Sequence, residues 1–510
     1  LKDPALRQAV EWLLRALEDE WARRDPRFEE VESKEWVSFV PEEGALKGQH
    51  LFEHSDLKAF WIDELAERSL PEGSTVALHG ECAICGRRRL LVAKIPKVKL
   101  TSTVPLHSLN ADAFVSYMAG REVFKRSRLG VCFECGDLAA RAFNYLSNDE
   151  RHRKDLLRDA TKRDSLTNQI ALFWMKAKKE SPIQIGEVEI DLEELLAQLS
   201  TVLAEEHLHD RTKENPQPTL PQLAALLDLP WKPKEAHLQL DDYGFYLAVL
   251  SPNVGRIAVR EWVAVSLADI KRRLKRFLEA TRITSPWGDE PRPLSIRALV
   301  GACEGASPNL IRGLLRTAYL GYAPPSELLE AALRRFRIPS VVQDRQNTWR
   351  LHALAAAIKL KLFYGKEEVR TMEQLDPERK SQAYLCGRLL AVLEEAQLRA
   401  SGFSLNRTIV DRFYGAASTA PASIFGALIK LATTAHLPDR KVGQEVRALV
   451  EEVLSMLDEA GGFPKILNQR EQAEFALGFY HQRAYFRSQR GKGRTESGEQ
   501  TPVQETIKEG

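Results

Sequence analysis

Residues 245–262 read FYLAVLSPNVGRIAVREW, and the chain changes character there. Phe245, Tyr246, Leu247, Ala248, Val249 and Leu250, then Arg256, Ile257, Ala258, Val259 and Arg260, flank Ser251-Pro252-Asn253-Val254-Gly255. Two strand-like runs around such a segment predict a β-hairpin with a five-residue loop. The second run leads into residues 267–282, where Leu267, Ile270, Leu274, Phe277 and Leu278 recur at helical spacing. Lys271, Arg272, Arg273, Lys275 and Arg276 fall elsewhere, the pattern of an amphipathic helix. From residue 294 onward only helical patterns follow. The hairpin is the last β signal, and it separates a mixed front from a helical back.

Ahead of it, Leu6, Val10, Leu13, Leu14 and Leu17 predict a helix over residues 4–21, followed by a strand at 35–40 and a helix at 56–68. Residues 148–180 read as a charged helical stretch and 192–206 as another helix. Within the acidic 181–235 segment, the stretch spaced by Pro216, Pro218, Pro221, Pro230 and Pro233 is the best candidate for a linker or peripheral insertion. Behind it, residues 380–486 form a compact helical bundle punctuated by Gly402, Gly415, Pro421, Pro438 and Gly461-Gly462, and the polar tail after Arg487 predicts disorder. The predicted class is α+β: a mixed N-terminal α/β region with a four-cysteine zinc-ribbon-like insertion, then an all-α C-terminal helical bundle. The expected segments are 1–81, an N-terminal α/β segment truncated at its start, and 82–147, a zinc-braced basic subdomain. An α/β region with the acidic insertion and hairpin (148–293), a helical region (294–371), the bundle (372–486) and the tail (487–510) follow. A chain of 510 residues, 44% hydrophobic and 28% charged, suits a multidomain folded protein. No apolar run approaches a membrane span, and no basic-then-apolar leader opens the chain. A cytoplasmic protein with no membrane partner is expected, and the Leu1 start predicts that sequence precedes it.

The sharpest motif is Cys82-Ala83-Ile84-Cys85 paired with Cys132-Phe133-Glu134-Cys135. Two-residue spacing lets both thiolates of a pair reach one metal, and four thiolates make a closed tetrahedral zinc site with no open catalytic position. Gly86 and Gly136 follow the pairs, where glycine tolerates a positive φ. The 46 residues between the pairs exceed a minimal ribbon and bracket an inserted subdomain. A redox CxxC needs a thioredoxin-like βαβ unit, which the sequence lacks, and disulfides do not suit a chain without an export signal. Cys303 and Cys386 stand alone in helical patterns and read as core residues. His50 and His54, four apart, read as surface histidines. Phosphate-loop, HExxH, GxSxG and GxGxxG motifs are absent in the required context, so no enzyme is predicted.

The formal net charge of +2 conceals blocks: residues 1–81 sum to −9, residues 82–135 to +7 and residues 181–245 to −9. A basic block with few acids is the pattern of a polyanion-binding surface, although cations beside thiolates also offset the site's own charge. Between the cysteine pairs lie Arg87, Arg88, Arg89, Lys94, Lys97 and Lys99, then Arg121, Lys125, Arg126 and Arg128.

Five stretches carry a family resemblance: residues 108–117 (SLNADAFVSY), the hairpin with its SPNxxRIxVRxW pattern, 384–397 (YLCGRLLAVLEEAQ), 411–423 (DRFYGAASTAPAS) and 475–483 (FALGFYHQR). In this order, from about residue 82 to 486, they resemble the large subunit of the type I-C CRISPR Cascade effector complex. The resemblance implies a non-catalytic subunit of an RNA-guided surveillance complex in antiviral defence. Such a subunit recognises the duplex beside the protospacer-adjacent motif (PAM), helps open it, stabilises the displaced strand of the R-loop and supports recruitment of the helicase-nuclease. The implied partners are the crRNA-containing complex, target double-stranded DNA, the displaced non-target strand and the helicase-nuclease. The complex contributes backbone subunits, the subunit gripping the guide's 5′ handle and small subunits. The family also implies a second product beginning near Met372. Expected duplex contacts are Arg87, Arg88, Lys97, Lys99, Asn110 and Arg126, with Asn253 and Arg256 from the hairpin; Arg407, Arg412 and Lys430 are expected on the displaced strand. The competing readings are a zinc-dependent nuclease or nucleic-acid-modifying enzyme and a protein-interaction scaffold.

Overall fold

The computed structural model describes residues 1–18, 38–68, 79–92, 95–106, 130–157, 168–177, 181–203, 219–253, 256–304, 307–342 and 348–496. They divide into two compact units: residues 1–148 with 252–257, and residues 149–251 with 258–510. No helix among the described residues is long and apolar enough to cross a membrane.

The first unit opens with α1 (Pro4–Glu18), whose free N–H groups at Ala5 and Leu6 are taken by the Asp3 carboxylate at 2.8 and 3.0 Å. Helix α2 (Ser55–Arg68) follows. Residues 35–37 of the expected strand lie outside the described residues, and residues 38–40 form no strand. The Phe39 carbonyl instead accepts the Leu51 N–H at 3.1 Å, closing a loop. Two short antiparallel ladders come next, β1 (His79–Glu81) with β2 (Arg88–Leu90) and β3 (Lys97–Lys99) with β4 (Thr103–Pro105). Helix α3 (Phe133–Asn148) closes the unit.

The second unit starts with β5 (Arg153–Leu157) and β6 (Gln169–Ala177), where residues 148–180 read as helical. Its apolar run Ile170-Ala171-Leu172-Phe173 is buried at every position. Without alternation, a short run reads alike in a buried strand and a buried helix. Next come β7 (Ile183–Ile185), β8 (Val188–Ile190), α4 (Leu192–Ser200), α5 (Leu220–Asp228) and β9 (Trp231–Pro233). The hairpin forms as β10 (Tyr243–Asn253) and β11 (Arg256–Ser266). Both strands are longer than expected, and only residues 254–255, outside the described residues, separate them. Pro252, one residue from the end of β10, costs little there because the ladder is ending.

The strands β11, β10, β6 and β5 form one sheet in that order. Tyr243, Phe245, Leu247 and Val249 alternate inward from β10 and share one buried core with Leu267, Ile270, Leu274 and Phe277 of α6 (Leu267–Thr281), so the stripe read from sequence is the buried one. The Ser266 side chain caps that helix, accepting from the Asp269 N–H at 3.2 Å.

Helices α7 (Ile296–Ala302), α8 (Pro308–Leu315), α9 (Ser326–Phe336) and α10 (Thr348–Phe363) lead to a bundle of α11 (Gln382–Ala400), α12 (Ile409–Ala417), α13 (Pro421–Leu431), α14 (Gln444–Glu459) and α15 (Gln469–Glu496). Its axis is the pair α11 and α15. A Cβ on Gly387 would sit 2.0 Å from the Phe475 carbonyl oxygen, and one on Gly478 2.1 Å from that of Tyr384. The two backbones therefore touch where both helices carry glycine. Cys303 and Cys386 are core residues, as read. The observed mixture of an α/β front with a four-cysteine cluster and a helical back is the predicted α+β class.

The tail differs from expectation, because α15 continues to Glu496. Arg487 lies over the Trp287 ring at 5.0 Å, and Arg490 pairs with the buried Glu395 carboxylate at 2.6 Å. Residues 497–510 lie outside the described residues.

Candidate metal centre and nucleic-acid interface

The first cysteine pair sits in the turn between β1 and β2. There the Gly86 N–H donates to the Cys82 carbonyl at 2.8 Å and the Cys82 N–H to the Arg87 carbonyl at 2.9 Å. Gly86 holds φ +67°, the conformation its position predicts. The second pair lies at the start of α3, where the Gly136 N–H donates to the Cys132 carbonyl at 3.0 Å. Gly136 is helical and needs no positive φ. It is small for another reason: a Cβ there would lie 2.3 Å from Cγ2 of Ile95.

The ligand-capable sulfurs of Cys82, Cys85, Cys132 and Cys135 all lie within 4.8 Å of one another. Cys82 and Cys132 are buried, Cys135 is half-buried and Cys85 is exposed. The Cys132 N–H donates to the Cys82 sulfur at 3.3 Å. Burial pushes the Cys82 thiol up, but N–H donation from Cys132, Cys85 and Ile84 outweighs it, leaving the thiol lowered to about 6. Burial raises both Cys132 and Cys135; hydrogen bonds from Cys135 oppose the rise at Cys132 while Cys82 adds to it, and the other three sulfurs add to it at Cys135. Four converging thiols that cannot all ionise together are the donor set a divalent, thiophilic metal neutralises. The arrangement fits a tetrahedral four-thiolate zinc site. Among the described residues His50 and His54 join no such cluster: His50 pairs with the Ser38 hydroxyl at 2.7 Å, and His54 lies 3.6 Å from Asp3.

Helix α3 is the spine of this region. Its first turn carries Cys135, and its later turns hold β3. The Asn144 carboxamide accepts the Lys99 N–H at 2.8 Å, and the Ser147 hydroxyl donates to the Lys99 carbonyl at 2.8 Å. Val98, Val104 and Ala140 form a small core joined by Phe143 and Ile257. Burying Val98 turns Lys97 and Lys99 outward, by strand alternation. Ile257 brings Arg256 to the same core, so the hairpin tip groups with the basic strand. Arg87, Arg88, Lys97, Lys99 and Arg256 are exposed, Asn253 is half-buried, and none of the five cations has a carboxylate partner among the described residues. Arg89 differs, because it is paired with Glu134. Asn110 and Arg126 lie outside the described residues, as do Lys94, Arg121, Lys125 and Arg128.

In the second unit, Arg407, Arg412 and Lys430 are exposed and likewise have no carboxylate partner among the described residues. The Lys271–Arg276 run is engaged internally: Arg272 and Arg273 pair with Asp269, Lys275 with Asp228 at 2.6 Å, Lys271 lies over Trp231 and Arg276 over Tyr364. Sequence reasoning missed Asn144 and Ser147, since two polar residues on a helix carry no motif.

A family model described as CRISPR-associated protein (Cas_Csd1) matches residues 5–487. The chain belongs to this family. The match spans both units and includes the cysteine pairs, the hairpin and the bundle, so the resemblance carried by five short stretches holds at the level of the Csd1 family. No curated protein matches the chain.

Proposed function

We propose that this Csd1-family chain is the non-catalytic large subunit of a type I-C RNA-guided surveillance complex and grips target duplex through its first unit. One observation carries the reading. A four-cysteine cluster and a β-ladder are fastened to opposite ends of α3 and present Arg87, Arg88, Lys97 and Lys99 to solvent, without carboxylate partners among the described residues. Unpaired cations on a braced scaffold grip phosphates, and phosphate contact supplies most sequence-independent affinity. Arg87 and Arg88 grip phosphates and, as arginines, can also take guanine edges, Asn253 can take adenine, and the lysines hold the backbone. Zinc held by Cys82, Cys85, Cys132 and Cys135 braces the unit, and a closed four-thiolate site leaves no position for catalysis. Arg407, Arg412 and Lys430 contact the displaced strand. The guide RNA reads sequence by pairing. The partners are the crRNA-bearing backbone, handle-binding and small subunits and the helicase-nuclease, in the cytoplasm.

Replacing Arg87 and Arg88 by Glu tests this. Duplex binding should weaken, and the salt slope of log K should fall by about one per lost phosphate contact. An unchanged affinity and slope would remove both arginines from the interface.

A further inference from the structure

The sheet of the second unit has one face in the core and another that bears three aromatic rings. Trp174 of β6 stacks on Tyr246 of β10, with centroids 5.5 Å apart and planes 8° from parallel. The two residues are directly opposed across the ladder. Trp262 of β11 lies edge-on to Trp174 at 5.4 Å and 64°. These strands are separated by β10, so the two indoles meet above it. Gly244 makes room for the arrangement, because a Cβ there would lie 2.9 Å from the Tyr246 ring.

A cross-strand aromatic pair is ordinary sheet stabilisation and explains Trp174 with Tyr246. It does not explain Trp262, which keeps 54% of its surface in water. Alternation puts Lys176 on the face of Trp174 and Arg260 on that of Trp262. Arg153 reaches the same face opposite Leu172, with Asp155 bound to it at 3.2 Å. Among the described residues, three cations and one acid border a π surface whose outer ring is exposed, and Arg260 also donates to the Ser251 hydroxyl at 3.1 Å. That combination suits a flexible polyanion with unpaired bases, because every base has a face to stack and every phosphate a charge to neutralise. A duplex hides its base faces, and an apolar protein strand gains nothing from the cations.

We infer that Trp174, Tyr246 and Trp262 form a stacking platform for single-stranded DNA, with Trp262 as the outermost contact and Lys176 and Arg260 holding the phosphates. This rests on the DNA-binding reading above and gives it a single-strand site on the sheet, separate from the bundle cations Arg407, Arg412 and Lys430.

The test uses the full chain, a labelled oligo(dT) and a duplex of equal length. Oligo(dT) should quench tryptophan emission. Trp262→Ala should weaken oligo(dT) roughly 5- to 100-fold and remove part of the quench, while Trp262→Phe keeps most of the affinity. Duplex affinity should stay the same in both variants, and Trp287→Ala, an exposed indole elsewhere, should change neither ligand. An unchanged oligo(dT) affinity in Trp262→Ala overturns the platform. So does a variant that binds oligo(dT) normally but fails to enter the assembled complex, since the face then serves a protein. A chain that binds duplex but no oligo(dT) also overturns the platform and leaves the duplex reading standing, whereas loss of both in the unaltered chain removes both.

Discussion

Gly86 and Gly136 occupy matching places after the two cysteine pairs, yet they are required for different reasons. Gly86 supplies a left-handed turn, while Gly136 lets Ile95 pass against α3. The sequence showed that glycine belongs at both sites, and only packing shows why at the second. Cysteine spacing was fully legible, because ligand geometry demands it. Cys132→Ser should therefore abolish stoichiometric zinc in the purified chain, measured by metal analysis, whereas Cys303→Ser should leave it intact. Equal zinc content in the two variants would contradict the four-thiolate site. A second residue-scale prediction concerns His481, wholly buried, with Nδ1 3.0 Å from the Tyr384 hydroxyl. Burial, aided by Lys359 and Arg379, lowers its pKa to about 3. The unfolded imidazole takes a proton near 6.5 and the folded one does not until about 3. The unfolded state thus binds more protons in that window, so His481's contribution is complete above about 6.5 and is lost as pH falls toward about 3. Between pH 7 and pH 5 the loss is about 2 kcal/mol. A urea titration at both values should show it, and His481→Phe should flatten that part of the pH dependence.

At the scale of elements, the crossing of α11 and α15 depends on two glycines whose Cβ positions are already filled by carbonyl oxygens. Gly387→Ala should force the helices apart and cost about 1–3 kcal/mol or more, read as a lowered melting temperature. Gly415→Ala, with nothing within 4 Å of the added methyl, should be neutral or slightly stabilising. If Gly387→Ala proves as stable as the parent, the close crossing is wrong. The hairpin and α6 were legible because their periods are clean, as was the amphipathic start at α1. The strand β6 was not, since its run Ile170–Phe173 is buried on both faces and has no period to read, and β5 is short and mostly charged. The end of α15 was missed for an opposite reason. Arginine-rich sequence reads as solvated, yet Arg487 and Arg490 find Trp287 and Glu395. Composition cannot show such partners.

For the whole molecule, the near-zero net charge conveys little, whereas its blocks map onto structure. The +7 block contains the four clustered cysteines and the outward-facing Lys97 and Lys99, while three of the five cations on α6 are paired with Asp269 and Asp228. Sequence named both runs, and only three-dimensional pairing separates a consumed cation from an available one. The same limit hid Trp174, Tyr246 and Trp262, which stand far apart in sequence and meet only through strand order. The central claim is that a thiolate-held metal braces a duplex-gripping surface, so metal removal should act on DNA binding. The direct measurement is duplex affinity of the full chain across a salt series, before and after replacing Cys82 and Cys132 by Ser. The account predicts weaker binding and a shallower salt slope, with the helical circular dichroism of the second unit retained. Unchanged affinity and slope in the metal-free chain would contradict it.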